Sequence, residues 1–190
     1  GFYLADVAGH GAASAFVTAI LTTLVAKYRE SLRSRGDETI LHPQQLLTSL
    51  DTDLSALSLP KHVTCFYAVL DLESGKLVYA NAGAFPFPFL ANEQGVVELE
   101  CPGRPLNLPG RGKFGSGETR LAPGGRLLLV SDGVLELTPK QSQRQRRESI
   151  SELLSRSHDI QELVNSLGLA DHTPLRDDVA VLLARRDETP

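Results

Sequence analysis

Residues 2–11, Phe-Tyr-Leu-Ala-Asp-Val-Ala-Gly-His-Gly, join an apolar run to a glycine-rich segment and place the carboxylate of Asp6 near the end of the run. The weak alternation of residues 2–7 predicts a strand, and Gly9 with Gly11 predicts a tight loop after it. An ionised carboxylate at the end of a core strand is costly unless a cation or several hydrogen bonds compensate it. The stretch therefore predicts a strand that carries a functional acidic group.

Two further acidic positions follow the same pattern. Asp132 follows the apolar run 127–130 after one intervening serine, and Asp177 with Asp178 comes directly before the apolar run 179–183. Each acidic position also has an ordinary alternative, as a helix cap, a turn or a solvated strand entry. Their shared strand context favours a metal site instead.

Oxygen ligands suit hard cations, so a site built from Asp6, Asp132 and Asp177 favours Mg²⁺ or Mn²⁺ over zinc. Two such ions about 4 Å apart acidify a water and shield a phosphoryl group during in-line displacement. The acidic positions therefore predict hydrolysis of a phosphoester.

The loop after Asp6 contains candidate phosphate-binding residues. Gly9 and Gly11 let the backbone approach the ions or the phosphate, and the helix that follows offers free N–H groups. His10 has two interpretations: a general acid for the leaving alkoxide, or a side chain that packs or hydrogen-bonds to hold the loop.

Composition limits the function classes. The 190 residues are 42% hydrophobic and predict one domain. The 19 Lys and Arg against 23 Asp and Glu give a net charge of −4, so a metal-dependent nuclease finds little support and no nucleic-acid partner is expected. Cys65 and Cys101 fit no zinc pattern and are expected to be reduced and structural, as in the cytosol. No segment approaches the ~18 apolar residues that span a bilayer, so we expect a cytoplasmic protein without a membrane segment.

Hydrophobic periodicity predicts an α+β fold. The order of the elements argues for antiparallel sheets with packed helices rather than an alternating parallel sheet. Prolines at 86 and 88 predict that residues 85–90 form an edge or irregular strand. Predicted helices cover 12–34, 43–57, 150–154 and 160–167; predicted strands cover 2–7, 63–72, 76–81, 85–90, 96–99, 114–121, 126–130 and 179–183.

The polar, basic segment 140–148 has no hydrophobic pattern and is interpreted as a mobile surface flap. It is either a solvated loop that leads into a helix or a segment that contacts a substrate.

Four motifs together resemble one protein family. Residues 6–11, 79–83, 128–136 and 177–179 look like the PPM metal-dependent Ser/Thr protein phosphatases, and most like their SpoIIE-type bacterial branch. The resemblance implies an antiparallel β-sandwich flanked by helices with a binuclear Mn²⁺ or Mg²⁺ centre. It also implies that Asp6 bridges both ions, that the Val7 carbonyl binds one ion, and that Asp132 and Asp177 complete the site.

The resemblance also implies a substrate and a regulatory context. Family members typically dephosphorylate phosphoserine or phosphothreonine on a small anti-sigma-factor antagonist, under control of an upstream sensor or receiver domain. The chain starts in a strand-like run without Met, so we expect the C-terminal part of a larger regulator that lacks the first strand or strands. Asn107 stands where the branch commonly has Gly.

A second hypothesis comes from a different class of protein. A phosphatase-like adaptor would bind a regulatory protein without hydrolysis, using the long helix and segment 140–148 as its docking surface. The long helix also offers a contact for a homodimer or a regulatory domain.

Overall fold

The computed structural model describes residues 1–110, 113–137, 142–169 and 178–187. The chain forms two compact units, one of Gly1–Ala84 with Cys101–Arg120 and the other of Phe85–Glu100 with Leu121–Pro190. In chain order, the elements of the described residues are β1 (Phe2–Val7), α1 (Ala12–Arg35), a 3-10 helix (Glu38–Leu41), α2 (Pro43–Ala56), β2 (Val63–Leu70), β3 (Lys76–Ala82), β4 (Phe89–Asn92), β5 (Gly95–Glu98), β6 (Gly115–Arg120), β7 (Arg126–Val130), α3 (Gly133–Glu136), α4 (Gln143–Arg156), α5 (Ile160–Ser166) and β8 (Val181–Arg185). No helix among these elements is long and apolar enough to cross a membrane.

The first unit contains an antiparallel sheet in the order β1-β2-β3-β6. Its central hairpin, β2-β3, closes at Ser74-Gly75, a pair of residues that predicts a hairpin turn between strands 63–72 and 76–81. The Asp71 carboxylate accepts hydrogen bonds from the Ser74 N–H at 2.7 Å and the Ser74 hydroxyl at 2.6 Å, and Gly75 supplies a φ of 73°. A short side chain thus satisfies the turn backbone, as is usual for Asp at such positions.

Two helices form the core of the first unit with one face of this sheet. α2 buries four leucines there, and α1 buries Val17 and Leu21. The helical spacing of Ala15, Ala19, Leu21, Leu24 and Val25 predicts a broad apolar face on α1, and this prediction is partly wrong because Ala15 and Ala19 are exposed. Val17 and Leu21 are four residues apart and lie on one stripe of the helix, and Leu24 and Val25 of the predicted face are partly buried against the same core. The α2 leucines are Leu46, Leu47, Leu50 and Leu54.

The second unit contains an antiparallel sheet in the order β5-β4-β7-β8. β4 lies between two partners, so the prediction of an edge strand over 85–90 is wrong. Pro86 and Pro88 precede the strand, which begins at Phe89, and leave its N–H groups intact for pairing. Phe89, Leu128 and Leu154 are fully buried in the core that this sheet shares with α4.

The segment predicted as a mobile flap begins α4 instead. Residues 140 and 141 lie outside the described residues, but Ser142 caps the helix in a capping box with Gln145. The Gln145 Oε1 accepts from the Ser142 N–H at 2.9 Å, and Arg147 donates to Glu98 at 2.6 Å. The Ser-x-x-Gln spacing of residues 142–145 is a sequence signature of a helix start. The prediction of a flap relied on the basic composition of the segment instead.

The predicted α+β class, with antiparallel sheets and packed helices, is confirmed. Both cysteines are buried and unpaired, as predicted. Burial raises the pKa of the Cys65 thiol to about 12, which keeps it protonated and unreactive.

The motif at 81–83 forms a structural turn. The buried Asn81 side chain accepts from the Ala84 N–H at 2.8 Å and donates to the Ala84 carbonyl at 3.0 Å. Gly83 has a φ of 74°, and a Cβ there would lie 2.8 Å from Pro105. The turn therefore requires glycine for its conformation and for its close contact.

A matched pair of substitutions separates these two requirements. Gly36 ends α1 with a φ of 70° and open space around it, so Gly36→Ala should cost only the backbone strain of about 1–2 kcal/mol. Gly83→Ala should cost about 1–3 kcal/mol more, because its methyl group also meets Pro105. Urea unfolding of both variants measures the difference, and equal losses would contradict the contact at Pro105.

Candidate active site

Asp6 lies near the end of edge strand β1. It is exposed and stands opposite Thr64 of β2. Tyr3, Ala5 and Val7 contribute to the core under α1 and α2, so strand alternation places Asp6 on the other face of the sheet. The carboxylate is thus held by a strand but kept out of the helix-covered core.

The Val7 carbonyl points off the edge of the sheet. Val7 stands opposite Val63, whose N–H donates to the Leu106 carbonyl at 3.1 Å and whose carbonyl accepts from the Leu106 N–H at 2.8 Å. Since Val63 uses both groups on its far side, Val7–Val63 is a non-hydrogen-bonded pair, and the Val7 backbone groups face away from β2. The end of β1 therefore presents a carboxylate and an outward carbonyl on adjacent residues.

The glycine loop connects this strand end to α1. Gly9 and Gly11 have φ values of 76° and 91°, and Gly11 caps α1 without a side-chain hydrogen bond. The Ser14 hydroxyl donates to the Gly9 carbonyl at 2.9 Å, whereas His10 is exposed. The His10 side chain is therefore not packed, whereas a hydrogen bond that holds the loop and a role as general acid both stay predictions. The first N–H groups of a helix with no side-chain cap are a suitable anion site.

Lys61 is a residue that sequence reasoning missed. A Cβ on Gly9 would lie 2.8 Å from the Lys61 ammonium nitrogen, so this cation lies against the glycine loop. Lys61 is half-buried and lines a cleft of about 590 Å³ in the first unit. The sequence signal is only a lysine before β2, and the pairing of β1 with β2 is needed to bring it beside Gly9.

Asn107 holds the backbone around Lys61. Its side-chain amide donates to the Leu59 carbonyl at 2.9 Å and to the Lys61 carbonyl at 2.7 Å. Its φ is 57°, a left-handed conformation that asparagine tolerates better than most residues, which explains how it occupies a position where glycine is common. The Asp51 carboxylate accepts from the Asn107 N–H at 2.7 Å and forms a salt bridge with Arg104.

In the second unit, Asp132 follows β7 and precedes α3. It is exposed, and its side chain makes no capping hydrogen bond to the helix. Ser131 donates from its hydroxyl to the Asp178 carbonyl at 3.2 Å, and a Cβ on Gly133 would lie 2.3 Å from that same carbonyl. The structure therefore brings the Asp132 turn and residue 178 together, and Gly133 makes the close approach feasible.

The third predicted acidic ligand is Asp177. Asp177 lies outside the described residues. β8 starts at Val181, so the predicted strand start at 179 is two residues early. Within the described ranges no group of three or more His, Cys, Asp or Glu side chains is arranged to hold a metal ion. The donors at Asp6 and Val7 are oxygens, the type that Mg²⁺ and Mn²⁺ prefer.

Comparison with known proteins identifies the fold. The chain is similar to a structure of the RsbU and RsbW domains of Rv1364c from Mycobacterium tuberculosis, with a TM-score of 0.79, 24% identity, and coverage of 99% of this chain and 52% of that one. It is also similar to the PP2C phosphatase domain with a regulatory fragment of SpoIIE from Bacillus subtilis, with a TM-score of 0.75, 16% identity, and coverage of 96% and 53%. The chain thus spans about half the length of each of these two structures.

A further similar structure is the catalytic domain of the serine/threonine protein phosphatase PstP in complex with two manganese ions, with a TM-score of 0.65, 16% identity, and coverage of 95% of this chain and 85% of that one. No curated protein matches the chain significantly. The family model described as stage II sporulation protein E (SpoIIE) matches residues 1–187. Because this match covers almost the whole chain, the chain belongs to the SpoIIE family, the SpoIIE-type branch of the PPM phosphatases.

Proposed function

We propose that this chain is a phosphatase domain that hydrolyses phosphoserine or phosphothreonine on a signalling protein, with two Mn²⁺ or Mg²⁺ ions as cofactors. The observation that carries the proposal is the end of β1, where the Asp6 carboxylate and the outward Val7 carbonyl precede a helix N-terminus without a side-chain cap. The two manganese ions of the similar PstP structure support the choice of cofactor.

We assign the metal ligands from the oxygen donors. Asp6, Asp132 and Asp177 supply carboxylates, and Val7 supplies its carbonyl oxygen. Such ions, when bound, acidify a water and neutralise charge on the phosphoryl group. Asp132 is suited to this role because it is exposed and makes no capping hydrogen bond to α3.

We assign phosphate binding to the glycine loop and Lys61. Because Gly9 and Gly11 have no side chains, a phosphoryl group can approach the backbone of the loop. The first N–H groups of α1 are donors for its oxygens. Lys61 adds a positive charge against Gly9, within reach of the same loop. His10 is exposed at the loop and is retained as a candidate proton donor to the leaving oxygen.

The first experiment is hydrolysis of p-nitrophenyl phosphate with a Mn²⁺ titration and an EDTA control. Asp132→Asn should lower turnover at least about 100-fold, because loss of a metal ligand exceeds the 10–100-fold cost of losing an outer-shell partner. Its circular dichroism spectrum should not change. The matched control is Asp159→Asn, which makes the same carboxylate-to-amide change at the start of α5, keeps an oxygen acceptor for the Glu162 N–H and should leave turnover unchanged.

A fully active Asp132→Asn would contradict the metal assignment. A folded wild-type protein without metal-dependent turnover would contradict hydrolysis and favour a phosphatase-like adaptor that binds a regulatory protein.

The role of Lys61 has its own test. Lys61→Gln should raise KM for p-nitrophenyl phosphate about tenfold while the Mn²⁺ concentration for half-maximal activity stays constant, because one charge-assisted contact to phosphate is lost. Lys61→Arg should restore most of the affinity. Lys76→Gln serves as the control, since Lys76 of β3 pairs at 2.9 Å with Glu118 of β6, the edge strand opposite β1. An unchanged KM for Lys61→Gln would show that Lys61 only supports the loop.

We further propose that the substrate is a phosphorylated protein of the anti-sigma-factor antagonist type, and that an upstream sensor or receiver domain controls the reaction. The similar structure that contains both RsbU and RsbW domains supports this signalling context. A phosphorylated antagonist should show kcat/KM at least about tenfold above that of a phosphoserine peptide cut from it, since docking beyond the phosphate adds binding energy. Equal values would contradict recognition of the folded partner.

A further inference from the structure

A second polar cleft lies in the second unit, away from Asp132. Its volume is about 440 Å³, and it is lined by Arg126, Arg185, His158, Asp187 and Gly124. Arg126 begins β7, and Asp132 comes six residues later, beyond the other end of that strand. At ~3.3 Å per residue the two positions are roughly 20 Å apart. The cleft therefore does not belong to the proposed phosphatase site.

Two like charges face each other in this cleft. Arg126 of β7 stands directly opposite Arg185 of β8 in the antiparallel pairing. Like charges at directly opposed positions destabilise a sheet unless something compensates them. Asp187 compensates one of them, because its carboxylate lies 3.2 Å from the Arg185 Nε.

Arg126 has a buried donor to satisfy. Its Nη1 atom is buried and has no hydrogen-bond partner within the part of the chain that the structure describes. Leaving such a donor without an acceptor costs about 1–3 kcal/mol, and more for a charged group. An acceptor that reaches this nitrogen from the cleft would recover that cost.

The backbone fixes both arginines around this space. The Gly124 N–H donates to the Arg186 carbonyl at 2.8 Å, and the Arg186 N–H donates to the Gly125 carbonyl at 3.0 Å. These bonds hold the end of β8 against the turn before β7. Arginine carries five donors in a planar fork, so Arg185 retains its terminal nitrogens while Asp187 occupies its Nε.

We propose that this cleft binds an oxyanion of phosphate chemistry, bridged by the guanidinium groups of Arg126 and Arg185. Arginine pairs bind the oxygens of phosphate through parallel charge-assisted hydrogen bonds, which suits two forks on neighbouring strands. The exposed His158 adds ring donors at the same cleft. The inference does not depend on the proposed catalytic activity. The oxyanion is either free phosphate or a phosphoryl group on a side chain.

NMR titration of residues 1–190 with inorganic phosphate tests the site, with the arginine Nε–Hε resonances as the readout. EDTA is present throughout, so that no metal centre holds the anion, and chloride at equal ionic strength is the reference. The Arg126 and Arg185 resonances should shift saturably with phosphate. A parallel titration with O-phosphoserine distinguishes the sources: binding of both ligands indicates a site for phosphorylated side chains, and binding of phosphate alone indicates the free ion.

Arg126→Gln and Arg185→Gln should each weaken phosphate binding about tenfold, the loss expected for one charge-assisted contact. Arg120→Gln is the matched control. Arg120 is also a strand arginine opposite a cation, Lys76, but Glu118 pairs with that lysine. Shifts equal to those in chloride, or unchanged affinity in both variants, would overturn the proposal. If Arg126→Gln did not fold, the exposed Arg185 would decide the outcome.

Discussion

The register of β1 on β2 determines the chemistry at the end of β1. Val7 stands opposite Val63, and Val63 is hydrogen-bonded on its other side to Leu106. This arrangement turns the Val7 carbonyl outward and places Asp6 on the sheet face opposite the helices. A slip of one residue would bury the carboxylate under α1 and α2 and turn the Val7 carbonyl toward β2.

The same register assembles the proposed phosphate site from distant parts of the chain. Antiparallel pairing brings the start of β2 to the end of β1, so Lys61 reaches Gly9 although 52 residues separate them in sequence. Asn107 then bonds the Leu59 and Lys61 carbonyls. Asp51 neutralises the charge of Arg104. Of these two cations, the Lys61 ammonium is therefore the one suited to bind a phosphoryl group.

The two ends of β7 have opposite electrostatic character. The Asp132 end carries exposed carboxylates and suits cations, whereas the Arg126 end faces Arg185 and suits an oxyanion. A strand is a rigid spacer, so the two kinds of site stay apart without any additional element. The arginine cleft is therefore independent of the proposed catalysis.

The sequence by itself determined the type and order of most elements, because apolar periodicity and glycine turns are local signals. It predicted β1, α1, the β2-β3 hairpin and β7 well, and it identified Asp6 and Asp132 as strand-end acids. It missed the capping box at Ser142, because the basic composition of residues 140–148 indicated a loop. It also misplaced β4 at a sheet edge, because Pro86 and Pro88 were included in the predicted strand.

Only the tertiary structure decided which groups meet. The outward direction of the Val7 carbonyl, the contact of Lys61 with Gly9 and the opposition of Arg126 to Arg185 all depend on strand register. Register is set by pairing between segments far apart in the chain. No local pattern encodes it, because a strand's alternation fixes which face a residue occupies but not which partner lies beside it.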